Sequence, residues 1–380
     1  MDTLKVYAAV QSLASSIVQP FVSFLAVIVG VSGLDLGIVT SANSFFSSLS
    51  QYGLSHFRIR AKPILLVADV LLGFGWLFMG LYAYGFPSTY LVTYVSIAVA
   101  SGISSFGWLL VMERLSVNSR GKTLAQYSFY STMGGLAATL ATGFVVNVEY
   151  SQMRLFFYLA AALYLSCALM ALRYRDTVGE PTTGKLSPYL NRFYLVTYLF
   201  GISWSFAWPL FPTAQVYLFH MSELQVATMS VIGGSSTLLL QRRIGALVDR
   251  NRKLTMYLGR LGLSVFPLSY LVSPSVYYLY AFNLMSGFTN SVGNTAYFSY
   301  LFDNAVNKKK AIGVYSAAGG LGALTGSLTS GALLQYLTGL ANIVHAVRLL
   351  LSIAVIARII AATMYLFLRD RQPASEKLIS

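Results

Sequence analysis

Three carboxamides on one helix face are the densest polar chemistry in the chain. Asn283, Gly287, Asn290, Asn294 and Tyr297 follow one another at spacings of 4, 3, 4 and 3, which lines them up along one side of an α-helix. Amides donate and accept hydrogen bonds without carrying charge. That face therefore suits a neutral or amphipathic organic molecule, or a neighbouring helix. Shorter stripes repeat the pattern: Gln11, Ser15 and Gln19; Thr40, Asn43, Ser47 and Gln51; and Tyr94, Ser101, Ser105 and Trp108. Trp204 lies further from the helix end than Trp208 in an aromatic stretch that also contains Pro209 and Pro212. The candidate binding residues are Gln11, Gln19, Asn43, Tyr94, Ser105, Trp108, Trp204, Asn283, Asn290, Asn294 and Tyr297.

Proton or ion coupling needs a titratable group, and Asp69, Glu113 and Asp303 are the available carboxylates. Counted along its helix, Asp69 lies about 9 Å inside an apolar stretch. An acid in that setting is either a functional site or, as the shallow depth favours, a carboxylate reached by water or by a basic residue such as Lys62. Other chemistries find no support. His56, His220 and His345 lie at loops or helix ends far apart in the chain, so neither a metal site nor a Ser/His/acid nucleophile can be assembled from them. Cys167 stands alone, which allows no internal disulfide and no thiolate metal cluster. Nothing matches a phosphate-cradling glycine loop. No enzyme activity, cofactor or metal is expected.

These residues sit in a chain that is 56% hydrophobic and 10% charged, far below the roughly 25% charge of a soluble domain. A helix crosses a bilayer with about 20 predominantly apolar residues. Twelve stretches qualify, over residues 5–29, 37–55, 63–84, 89–112, 123–146, 153–172, 193–217, 224–243, 254–273, 276–301, 311–337 and 343–368. The expected architecture is an all-α membrane protein with the lipid bilayer as its surroundings. The first stretch is too long for a signal-peptide core and is expected to remain as the first helix. All Lys and Arg except Arg154, Arg348 and Arg358 fall on alternate connections and the adjoining helix turns, Arg260 among them. Positive charge marks the cytoplasmic side, so both termini are expected there, in the plasma membrane. The net charge of +14 is then a topology signal facing anionic lipid, with no nucleic-acid partner.

A charged segment organises the connections. Gly245-Ala-Leu-Val-Asp249-Arg250-Asn-Arg-Lys253 has a reduced copy at residues 52–63, with Leu54, Arg60 and Lys62 in matching columns and His56 where the second copy has Asp249. The pattern resembles the signature loop of the major facilitator superfamily, and Glu113 followed by Arg120-Gly121-Lys122 resembles that family's connection between its fourth and fifth helices. Tyr127-Ser128 and Gly143 recur as Tyr315-Ser316 and Gly331 at a constant offset of 188, or, in a rival register, Tyr-Ser-x-x-Gly-Gly-Leu at 130–136 recurs at 315–321; either register is expected for duplicated halves.

The resemblance implies two pseudo-symmetric six-helix bundles, over residues 1–172 and 193–380, joined by a cytoplasmic linker at 173–192. It assigns a gating or bracing role to Gly245, Asp249 and Arg250. It also implies a central path lined by the first, fourth, seventh and tenth helices. The expected function is secondary transport by alternating access, moving a small neutral or amphipathic organic solute outward as a monomer, with proton coupling left open. An uptake carrier or uniporter for sugars or other polar metabolites is the alternative, and a transport-inactive receptor on the same fold a third. Gly319, Gly322 and Gly326 share a face and predict a close helix contact. For Arg358, mid-helix, the expected partner is within the protein or a water pocket.

Overall fold

The computed structural model describes residues 3–83, 85–115, 120–148, 152–173, 178–179 and 187–368. Among these it contains α1 (Thr3–Ser16), α2 (Gln19–Val29), α3 (Gly33–Leu54), α4 (Ala61–Phe78), α5 (Pro87–Leu115), α6 (Arg120–Val148), α7 (Met153–Ala171), α8 (Asn191–Ser205), α9 (Leu210–Tyr217), α10 (Glu223–Arg250), α11 (Arg252–Gly262), α12 (Val265–Val272), α13 (Val276–Asn283), α14 (Ser286–Asn304), α15 (Lys308–Leu340) and α16 (Ile343–Thr363). These helices fall on the stretches expected from the sequence. Among the described residues, seven segments are long and apolar enough by themselves to cross a bilayer. The more polar α3, α10 and α14 find their partners inside the bundle.

Prolines divide the helices, and neighbouring helices repair the damage. Pro20 has no N–H for the carbonyl of Ser16 four residues earlier, and α1 gives way to α2 at that point. Thr139 of α6 donates its hydroxyl to that carbonyl at 2.8 Å. Pro209 likewise cannot serve Ser205; the Trp208 amide turns to Ser205 instead, at 2.9 Å, which leaves the Trp204 carbonyl without its usual helical partner. Pro267 deprives Leu263 in the same way, between α11 and α12. The guanidinium of Arg358, only 1% exposed, donates to both Leu263 and Trp204. A buried cation in the middle of α16 thus caps two broken helices at once, which supplies the protein partner expected for it.

Close packing follows the small residues. Side-chain atoms added at Gly322 or Gly326 would run into the α8 backbone at Tyr198 and Ile202, and one at Gly37 into α15 at Ser327. α15 therefore lies flush between α3 and α8, as the glycine face predicts. Where α10 meets α11 the structure differs from the sequence reading: the charged segment is helical up to Arg250, and the turn shrinks to Asn251. The Asn251 carbonyl oxygen of the side chain accepts the Leu254 amide at 3.1 Å, which caps α11 and allows so abrupt a junction. The linker also gains structure, since Val178–Gly179 pairs antiparallel with Ile59–Arg60.

Candidate functional site

Two clusters of interior polar residues bear on function. The first is built on Asp69 of α4. Its carboxyl is fully buried, accepting the Tyr7 hydroxyl at 2.7 Å on Oδ2 and the Ser104 hydroxyl at 3.3 Å on Oδ1. Gln11 of α1 donates to Ser104 at 2.8 Å and to the Tyr7 oxygen at 3.4 Å, and the Tyr7 ring stacks on Trp108 with centroids 5.6 Å apart. The expectation of a shallow carboxylate, reached by water or by Lys62, is corrected. Lys62 donates to the Leu172 carbonyl, and α1 and α5 cover Asp69 completely. Depth along one helix did not reveal the neighbours lying over it. Two hydroxyls and an amide surround this acid, and no ion pair to it occurs among the described residues.

The second cluster is built on Arg260, eight residues into α11. Eight residues carry it about 12 Å from the helix start, so its assignment to a basic connection is corrected. The guanidinium carbon lies 4.0 Å from the ring centre of Tyr297, 4.5 Å from Phe200 and 5.4 Å from Tyr365, on α14, α8 and the 3₁₀ turn after α16. Aromatic faces attract a cation through their quadrupole. Beside this cage lies a cavity of about 160 Å³, lined by Arg260, Trp204, Thr197, Ser44, Ser48 and Ser316 among others.

The remaining candidates distribute as follows. Tyr94 is buried and donates to Gln19 at 3.1 Å, tying α5 to α2. Asn43 and Ser105 are exposed. Trp204 and Tyr297 both belong to the Arg260 cavity and cage, the Tyr297 hydroxyl being held by the Met256 carbonyl at 2.8 Å.

The carboxamide stripe turns largely toward α10. Asn283 donates to the Met229 carbonyl, and Asn290, itself exposed, donates to Thr237 at 3.3 Å. Asn283 also borders a second cavity, of about 180 Å³, with Gln215, Tyr270 and Phe211. Asp303 forms an ion pair with Arg252, and Arg250 is exposed. The surroundings of Gly245 and the side chains of Asp249, Asn294 and Glu113 lie outside what the structure describes.

Tyr7, Ser104, Arg260 and Tyr365 were not singled out from the sequence. Tyr7 precedes Gln11 by four residues and so continues its stripe. An arginine amid Leu258-Gly259 and Leu261-Gly262 was the available sign for Arg260.

Comparison with known proteins agrees with this architecture. Residues 193–379 match the model of the Major Facilitator Superfamily. The chain is 22% identical over 340 residues to the "Proton-coupled antiporter flippase LtaA" of Staphylococcus saprophyticus, covering 84% of each protein. Among solved structures, it superposes on an auto-inhibited POT family peptide transporter with a TM-score of 0.75 at 11% identity, over 98% of this chain and 99% of the other. On a D-xylose–proton symporter the TM-score is 0.71 at 13% identity, over 96% and 97%. Matched over residues 193–379 by the family model and along nearly its whole length by the fold of solved transporters, the chain is a multi-pass membrane protein similar to transporters of the Major Facilitator Superfamily.

Proposed function

We propose that this transporter exports an amphipathic organic solute in exchange for protons, with Asp69 as the proton-binding group. The observation that carries the reading is the burial of Asp69, on α4, among hydroxyl and amide partners from two other helices, α1 and α5. A carboxyl in such a setting takes up and gives back a proton without an ion pair having to break. Each change of its charge alters the hydrogen bonds that join those helices, so protonation is tied to their packing. The similarity to a proton-coupled antiporter flippase supports the direction and the amphipathic solute, and that to a proton symporter supports the coupling ion. The basic ends of the helices face the cytoplasm of the cell membrane in this reading. Residues 1–172 and 193–380 act as the two moving bodies.

Proteoliposomes holding NBD-labelled neutral and anionic lipids, with dithionite quenching to report which leaflet each occupies, test this. At least one probe is expected to move faster under an imposed pH gradient, and Asp69→Asn is expected to abolish the acceleration. Movement indifferent to the gradient in the wild-type protein, or an unchanged response in Asp69→Asn, would refute it.

A further inference from the structure

Arg260 is caged but not satisfied. Its guanidinium carries five N–H donors, and three aromatic faces around it attract the charge without offering oxygen acceptors of ionic strength. Nε has no hydrogen-bond partner, and the Tyr365 hydroxyl beside it has none either. Among the described residues no carboxylate pairs with it. A cation only 9% exposed and left without a counter-charge is costly, because burial strips its hydration and nothing replaces it.

The cavity of about 160 Å³ opens directly onto this group. Its wall includes the hydroxyl-bearing residues Ser44, Ser48, Thr197 and Ser316, and the Thr197 hydroxyl is buried without a partner. Two unsatisfied polar side chains therefore border one empty space. What the guanidinium lacks among the described residues is a counter-charge, and an oxyanion supplies one together with several acceptor oxygens. A guanidinium fork matches the paired oxygens of a carboxylate, sulfonate or phosphate.

The volume is well below the roughly 300–1,000 Å³ of a site that encloses a whole drug-sized ligand. It fits the head group of an amphiphile, not the whole molecule. Ser44 and Ser48 come from α3, whereas Thr197, Arg260 and Ser316 come from α8, α11 and α15. An anion in this cavity touches helices from both ends of the chain.

We infer that the Arg260 cavity binds the oxyanion head group of an amphiphilic organic anion. This rests on the reading of the chain as a transporter of amphipathic solutes and names their charge, replacing the neutral solute expected from the carboxamide stripes.

The test uses the full-length protein in phosphatidylcholine nanodiscs, titrated calorimetrically with naphthalene-2-sulfonate and with its neutral counterpart naphthalene-2-sulfonamide. The sulfonate is expected to bind at least about tenfold more tightly, as for a charge-assisted pair in place of a neutral one. Arg260→Gln should erase that preference. Because loss of the cage could disturb folding, Ser316→Asp provides a second route: it sets a carboxylate in the cavity, leaves the aromatic cage intact, and should erase the preference as well, while Ser316→Asn keeps it. Added phosphatidylglycerol that weakens sulfonate binding identifies a membrane lipid as the occupant, and no effect identifies a soluble amphiphile.

Equal binding of the two probes, no binding of the sulfonate, or a preference that survives in Ser316→Asp would overturn the inference. Asp69→Asn is expected to retain the preference. Wild-type transport indifferent to the pH gradient, or a response unchanged in Asp69→Asn, would then count against Asp69 alone, without touching the assignment of Arg260.

Discussion

Replacing Arg358 by Met tests the idea that one cation repairs two proline breaks. Methionine keeps an unbranched apolar stem in the space but has no hydrogen-bond donors, so the Leu263 and Trp204 carbonyls lose the partners they have in the native protein. An orphaned buried acceptor costs about 1–3 kcal/mol, giving ~2–6 kcal/mol for the pair. Removing the guanidinium also removes its own desolvation cost, so the net loss is expected near the lower end, about 2–3 kcal/mol. The second half of the experiment restores a donor to the backbone. Pro267→Ala returns the N–H that Leu263 would have used in an unbroken helix. It should therefore be less harmful, or even stabilising, in the Arg358→Met background, with a coupling of roughly 1–3 kcal/mol. Unfolding by sodium dodecyl sulfate, followed by tryptophan fluorescence in mixed micelles, gives the four stabilities of the cycle. If Arg358→Met is neutral, or if Pro267→Ala has the same effect in both backgrounds, Arg358 does not act through these carbonyls.

Other substitutions probe separate parts of the account. Gly322→Ala should cost about 1–3 kcal/mol in the same unfolding assay, because the added carbon meets the α8 backbone at Tyr198. Gly319→Ala should be close to neutral, since the nearest atom there, on Thr197, is 3.9 Å away; equal losses at the two positions would refute the packing argument. Asn283→Leu should destabilise by about 0.6–1.7 kcal/mol through its lost bond to α10. The exposed Asn290 should show little stability loss as Leu, and its effect should appear in solute binding if its face lines the path. Tyr7→Phe removes the 2.7 Å bond to Asp69, and should weaken the response of transport to a pH gradient while leaving the protein folded. An unaltered response would take Tyr7 out of the coupling.

The features legible in the sequence were those that one helix carries by itself. Apolar length marked where the helices fall, Pro20 and Pro209 marked their interruptions, and the glycines of α15 marked a face that another backbone approaches. Features made by two or three helices were not legible. Asp69 looked shallow because its depth was measured along α4, whereas its burial comes from Tyr7 and Ser104 on α1 and α5. Arg260 passed for one more positive charge near a connection because Phe200, Tyr297 and Tyr365, which enclose it, lie far away in the chain. The carboxamide stripe showed the opposite problem: the sequence established that the amides share a face, but only the position of α10 identified what Asn283 and Asn290 bind. Arg358 was recognisably expensive, and the clue to its partner was the spacing of four between Leu263 and Pro267.

Asp69 as a reversible proton site is the claim on which the transport reading depends. Infrared difference spectroscopy across a pH titration of the reconstituted protein tests it without a known solute. The account predicts a carboxylic-acid carbonyl band that appears and disappears with pH, shifts in Tyr7→Phe as its hydrogen bond is lost, and is missing in Asp69→Asn. Spectra of wild type and Asp69→Asn that titrate identically would contradict it.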